Sequence, residues 1–265
     1  MTTARPRKWL RMLARWGYAA RGIVYLVIGS LAVLSAFGSA EETGTKGALR
    51  TLTEQGFGGL ILLGLAVGLL SHAAWRLMQS LFDADNLGHG GRGLAVRAGL
   101  LVSALSYGAL ALYAFSLAGI ASSGSGGGGS GATRLLVHLT GSWGGTIILS
   151  AVFAGIALAH AWKALTAGYT KYVHPPARYE HLVHLVSVGG LLARGTVFAV
   201  IAFLLWARRL DYGGQSIPDT ETVLSWTRNL PWGGIILTGL GVGLVLFCLY
   251  SFAEAAWRRV SLPDP

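Results

Sequence analysis

Six apolar runs, each about twenty residues long, constrain this chain more than any other feature. They fall approximately at Tyr18–Phe37, Gly58–Met78, Gly99–Ile120, Gly144–Leu165, Leu185–Trp206 and Gly233–Phe252. A helical run of that length matches the hydrocarbon core of a bilayer, and in lipid only helices or closed barrels satisfy the backbone. The runs are apolar all round and lack the alternation of barrel strands. They predict an all-α polytopic membrane protein with six transmembrane helices. Charged residues make up only 12% of the chain, and most of the 39 glycines lie inside the runs, where membrane helices tolerate them.

The net charge is +10. In a soluble chain this would point to nucleic acid, but here the basic residues stand between apolar runs and form no stripe with interleaved aromatics. The expected partner is therefore lipid, through anionic headgroups at the cytoplasmic face; a membrane-protein partner is compatible with the same surface, and nucleic acid is not expected. Placing both termini in the cytoplasm puts fifteen of the 21 Lys and Arg inside and six outside, as the positive-inside rule requires. Arg208–Arg209 at an outer end runs against the trend. Phe57, Trp143 and Trp232 are expected at the outer interface, and Trp75, Trp162 and Trp257 near the inner one.

The runs also repeat. "FGGLILLGLAVGLLSHAAWRL" (57–77), "WGGTIILSAVFAGIALAHAWKAL" (143–165) and "WGGIILTGLGVGLVLFCLYSF" (232–252) share an aromatic-Gly-Gly start. "RWGYAARGIVYLVIG" (15–29) aligns with "RAGLLVSALSYGALA" (97–111) and "SVGGLLARGTVFAVI" (187–201), so that Gly17, Gly99 and Gly190 correspond. One integral membrane domain over residues 1–265 is predicted, made of three tandem parallel helical-hairpin repeats over about 15–86, 97–173 and 187–260. Gly38 and Ala40 resemble a signal-cleavage site. The motif's recurrence in mid-chain favours a retained first helix instead. Each outer loop is expected to carry a short interfacial helix, at 39–56, 131–142 and 220–231, and the Gly/Ser-rich stretch 121–132 reads as a flexible linker.

The stretches "ARWGYAARGIVYLVIG" (14–29), "GALRTL" (47–52), "LLARGTVFAVIAFLLWA" (191–207) and "GVGLVLFCLYSFAEAAWRRV" (241–260) resemble the bacterial membrane proteins of Domain of Unknown Function 1206. Trp257 departs from the tyrosine expected there, and Ser103 stands where the neighbouring repeats carry arginine. The resemblance implies a six-helix multi-pass protein of the bacterial inner (cytoplasmic) membrane, and it carries over no activity and no catalytic residue.

Five polar residues in or beside the runs are the candidate site: Arg21, Arg194, His72, His160 and Glu254. A charge at mid-bilayer costs about 2.5–3.5 kcal/mol on insertion scales. Arg21, close to its run's inner edge, is expected to reach for lipid headgroups, and Arg194, deeper in its run, to look inward. Glu254 is the natural acidic partner of either, as a structural pair rather than a proton relay. His72 and His160 can hydrogen-bond between helices. No metal site and no cofactor are expected: the two histidines sit on different helices without a third ligand, and His174, His181 and His184 fall in a wet inner loop. HExxH, P-loop, GxSxG and CxxC patterns are absent, so no enzyme is expected. Gly64–Gly68 and Gly239–Gly243 make GxxxG spacings suited to packing within the monomer. The function expected is structural or accessory, in contact with lipid or a membrane complex; the alternative is a small transporter or channel for an ion or small anion.

Overall fold

A computed structural model of the protein describes residues 8–38, 44–88, 90–120, 128–208 and 217–259, with side chains described except at 92, 128–137 and 208. In chain order the helices are α1 (Lys8–Ala36), α2 (Thr45–Thr53), α3 (Gly58–Phe82), α4 (Gly91–Leu117), α5 (Gly128–Leu165), α6 (Ala177–Arg208), α7 (Thr220–Arg228) and α8 (Gly233–Trp257), with no strand among the described residues. All but α2 and α7 are long and apolar enough to cross a membrane. Each of the six apolar runs is therefore one helix.

Several helices outrun their apolar stretch because tertiary contacts support the extra turns. α1 begins ten residues before Tyr18, and its extension buries Leu10 and Ala14 against Trp75 and Ala84. α6 begins at Ala177, directly after Pro175–Pro176, where a proline-fixed φ starts a helix without sacrificing a bond. Trp75, expected at the interface, is instead core: it is 1% exposed and its indole N–H donates to the Tyr18 hydroxyl at 3.0 Å. Phe57, Trp143, Trp232 and Trp162 are exposed as expected.

Short helices stand in the connections where the sequence predicted them. α2 and α7 are two, and residues 128–140, set off from the rest of α5 by Gly141 at φ 74° and ψ 168°, form the third. The Gly/Ser stretch read as a linker is thus helical from Gly128, since its end supplies the first turn of that segment; 121–127 lie outside the described residues. The Asp219 carboxylate caps α7 by accepting from the Thr222 N–H at 3.0 Å. Leu49, Val223 and Leu224 are fully buried, so α2 and α7 turn their apolar faces to protein.

The long helices pack in a ring: α1 along α8, α8 along α6, α6 along α5, α4 along α3, and α3 along α1. Only α4 and α5, consecutive in the chain, touch sparsely. Ring pairs recur at three of the interfaces. Tyr25 meets Phe247 at 4.8 Å between α1 and α8, His72 meets Tyr107 at 4.6 Å between α3 and α4, and His160 meets Phe198 at 5.4 Å between α5 and α6.

Between apolar helices in lipid the hydrophobic drive is weak, so close backbone approach decides which faces meet. A methyl on Gly17 would lie 2.6 Å from the His72 Cα, and one on Gly190 2.5 Å from the Phe247 Cα. Gly29 and Gly241 face each other, each within 3 Å of the other's carbonyl oxygen had it a Cβ. Of the two GxxxG spacings only one glycine each is used: Gly68 packs on Ala20 and Gly243 on Ala193, while Gly64 and Gly239 meet nothing within 4 Å. The spacing cannot reveal this, because both glycines of a pair share one helix face and the neighbour covers only part of it.

Cys248, the single cysteine, is 1% exposed on α8. Its thiol is expected to react with a permeant maleimide at least a thousandfold more slowly in folded protein than in denaturant, on the order of what a stability of ~5 kcal/mol allows. Mass spectrometry of labelling time courses in mild detergent checks this; fast labelling of folded protein would mean that α8 is not enclosed.

Candidate functional site

Of the five predicted polar residues, Arg21, Arg194, His72 and His160 lie against aromatic rings, and Glu254 pairs with Arg21. Arg21 is 2% exposed. Its Nη2 donates to Glu254 Oε2 at 2.6 Å, and Nε and Nη2 donate to Ser251 Oγ at 3.1 and 2.9 Å. The expectation that Arg21 reaches for lipid is therefore wrong. Hydropathy fixes depth along a helix but not rotation about its axis, and Gly22 turns this face of α1 toward the Cys248 carbonyl and the Phe252 ring of α8. Glu254, also 2% exposed, is the partner expected.

The pair belongs to a longer chain of charges that sequence reasoning missed. Arg258 Nη1 donates to Glu254 Oε1 at 2.8 Å, and its Nη2 donates to both Asp85 oxygens at 3.0 and 3.1 Å. Gln79 Nε2 donates to Asp85 Oδ2 at 2.7 Å. Arg21, Glu254, Arg258, Asp85 and Gln79 so tie α1, α8, α3 and the α3–α4 connection together. The four-residue spacing of Glu254 and Arg258 was a readable signal. Asp85 was not, because only the fold brings it near. Arg258 is also held by backbone: Val173 and Arg258 form an antiparallel bridge, and Arg259 N–H donates to Tyr172 O at 2.9 Å.

Arg194 has no such company. It is partly buried, as expected of an inward-facing residue, with its guanidinium carbon 4.7 to 5.4 Å from the ring centroids of Tyr25, Phe198 and Phe247. Its one hydrogen bond goes from Nη1 to the Tyr107 hydroxyl at 3.3 Å, and Nε finds no partner. Arg21 lies 4.9 Å from the same Phe247 ring, so two cations share one aromatic ring and a cation–π attraction. Only one of them has an acid.

His72 is fully buried, with its Nε2 accepting from Arg76 Nε at 3.3 Å and its Nδ1 without a partner. His160 Nδ1 hydrogen-bonds the Ile156 carbonyl at 2.8 Å, which spends its polar group on its own helix. Lys163, not singled out from sequence, donates to the Tyr250 hydroxyl at 2.8 Å. Where the α5–α6 connection meets α6, a cavity of about 660 Å³ is lined by Tyr169 and His174 of the connection and by Glu180, His181 and His184; the last two, expected in a loop, stand on the first turns of α6. Burial raises the pKa of Tyr169 and Tyr172 there. No three His, Cys, Asp or Glu side chains are placed to hold a metal ion among the described residues.

The comparisons place the chain in a family without supplying an activity. Over 258 residues the chain is 25% identical to an "Uncharacterized protein YxxB" of Bacillus subtilis (strain 168), covering 96% of this chain and 94% of that one. No solved structure matches. The family model described as Domain of Unknown Function (DUF1206) matches residues 16–83 and 189–258, the stretches that hold most of α1 with α2 and α3, and most of α6 with α7 and α8. Matched over just over half its length, the chain belongs to the DUF1206 family.

Proposed function

We propose that the protein is a multi-pass protein of the bacterial cytoplasmic membrane, with both termini in the cytoplasm, acting as a structural or accessory protein whose partner is anionic lipid. Its body is three tandem helical-hairpin repeats, a reading supported by the like ring pairs at three interfaces and by one family model fitting two stretches. It catalyses no reaction, in keeping with a sequence free of catalytic motifs.

The observation that carries the reading is a surplus of cations around the buried charge chain. Arg21 and Arg258 have acids, whereas Arg76, Lys163 and Arg194 have no carboxylate partner among the described residues. Such a surplus suits an anionic headgroup, worth about 1 kcal/mol per basic residue near a membrane surface. Unfolding in nanodiscs of phosphatidylcholine with and without phosphatidylglycerol tests it. The anionic bilayer is expected to stabilise the protein, and less so at high salt. Equal stability in both bilayers counts against a lipid partner.

One observation favours a transporter for small anions instead: Arg21, Arg194, His72 and Glu254 converge inward rather than splaying to the headgroups. Flux of a panel of small anions into proteoliposomes decides. Equal leakage for wild type and Arg194→Ala counts against transport, and an Arg194-dependent flux would displace the accessory reading.

A further inference from the structure

The two arginines on the Phe247 ring differ in what the chain provides for them. Four and seven residues beyond Phe247, α8 supplies Ser251 and Glu254 to Arg21. The ring facing Arg194's own helix from α5 is His160, and four and seven residues beyond it stand Ala164 and Ala167. Arg194 therefore lacks both the hydroxyl and the carboxylate that satisfy its counterpart. A cation enclosed by apolar helices and left without an acid is expensive.

The same side of the bundle is open. Gly17 and Gly190 press against the backbones of α3 and α8, but Gly99, which corresponds to them on α4, meets nothing within 4 Å. Residue size differs as well. Where α1/α3 and α6/α8 pack Ala20 on Gly68 and Ala193 on Gly243, counting from the same glycines and rings gives Val102 on α4 and Ile156 on α5. Two branched side chains thus stand where the other two helix pairs set alanine on glycine. Arg194 lies behind this gap, reaching from α6 to the Tyr107 hydroxyl on α4 and flanked by Phe198, which meets His160 on α5. Exposed Val102, Leu105, Val152 and Leu158 lie on the two helices.

We propose that the opening between α4 and α5 is a lateral binding site for an anionic phospholipid, its phosphate paired with Arg194 and its acyl chains lying along the gap. A planar guanidinium matches phosphate oxygens in bidentate fashion. The apolar flanks suit acyl chains and repel a hydrated ion. The inference rests on the lipid-partner reading above and assigns it a place.

Photocrosslinking tests it, with the full chain in phosphatidylcholine vesicles carrying a trace of diazirine-labelled phosphatidylglycerol or of diazirine-labelled phosphatidylcholine. Adducts of the anionic probe are expected to exceed those of the zwitterionic one about fivefold on α4 and α5 around Val102 and Ile156, as one basic contact implies. Both probes should label Leu60 and Ile235 on other exposed faces equally. The enrichment should vanish in Arg194→Ala and persist in Arg194→Lys. Should Arg194→Ala fail to fold, Ile156→Trp, which plugs the gap and leaves the arginine in place, should also abolish it. Equal labelling by the two probes, or enrichment indifferent to both substitutions, overturns the site. So does stabilisation by inorganic phosphate in detergent without lipid enrichment, which would assign Arg194 to a soluble anion. If anionic nanodiscs stabilise wild type and Arg194→Ala alike, the general lipid partnership stands and the lateral site falls.

Discussion

Replacing Glu254 by glutamine is expected to destabilise the protein by about 3–5 kcal/mol, the usual cost of stranding one member of a buried ion pair. Arg21 would keep the Ser251 hydroxyl and the Tyr18 and Phe247 rings but no carboxylate, since Glu254 is its one acid. Arg258 would keep Asp85, so the loss falls on Arg21. That localisation makes a double-mutant cycle informative. Adding Arg21→Met to Glu254→Gln removes the stranded charge and should recover most of the loss. Denaturant or thermal unfolding in detergent, followed by helical circular dichroism, measures all three variants. A double variant as unstable as the sum of the singles would mean that the two side chains do not act as a pair. Asp85→Asn should cost less than Glu254→Gln, because the Asp85 side chain is 12% exposed against 1% for Glu254.

The second large effect comes from single glycines. Leucine at Gly17 or Gly190 is expected to cost about 3 kcal/mol or more, at the upper end of overpacking penalties. The Cβ would meet the backbone of His72 at 2.6 Å or of Phe247 at 2.5 Å, and backbone cannot rotate away as a side chain tip can. Gly99→Leu places the same residue on α4, where nothing lies within 4 Å, and should change stability by less than about 0.5 kcal/mol. Size-exclusion profiles after detergent extraction, with unfolding midpoints, separate the three. Equal damage from all three would mean that α4 and α5 pack as closely as their neighbours.

The contrast between Gly17 and Gly99 also shows where sequence reading stops. Six long apolar helices and three short helices in their connections were legible because length, hydropathy and turn residues act locally. The partnership of arginine with Glu254 was legible because few charges lie in the runs to choose from. Trp75 was misread: a tryptophan near a helix end has the same local sequence whether it meets headgroups or the Tyr18 hydroxyl. Arg21 was misread for a related reason, since lipid and protein interior are both apolar and hydropathy does not say which one a face meets. Asp85 was missed because it sits in a connection, and its role depends on Arg258 arriving from the far end of the chain. The open surroundings of Gly99 were not legible, because its local sequence resembles that of Gly17 and Gly190, which press against backbone.

The charge pair between the first and last long helices sets a timetable. Arg21 and Glu254 are 233 positions apart, and at about 5–20 residues per second a ribosome needs roughly 10–50 s to make the acid after the base. For that interval α1 carries an unneutralised guanidinium and lacks the helix it packs along most closely. The growing chain can insert its early spans but cannot complete its ring until α8 emerges. A chain broken off before Glu254 is thus left with an unpaired guanidinium on its first helix.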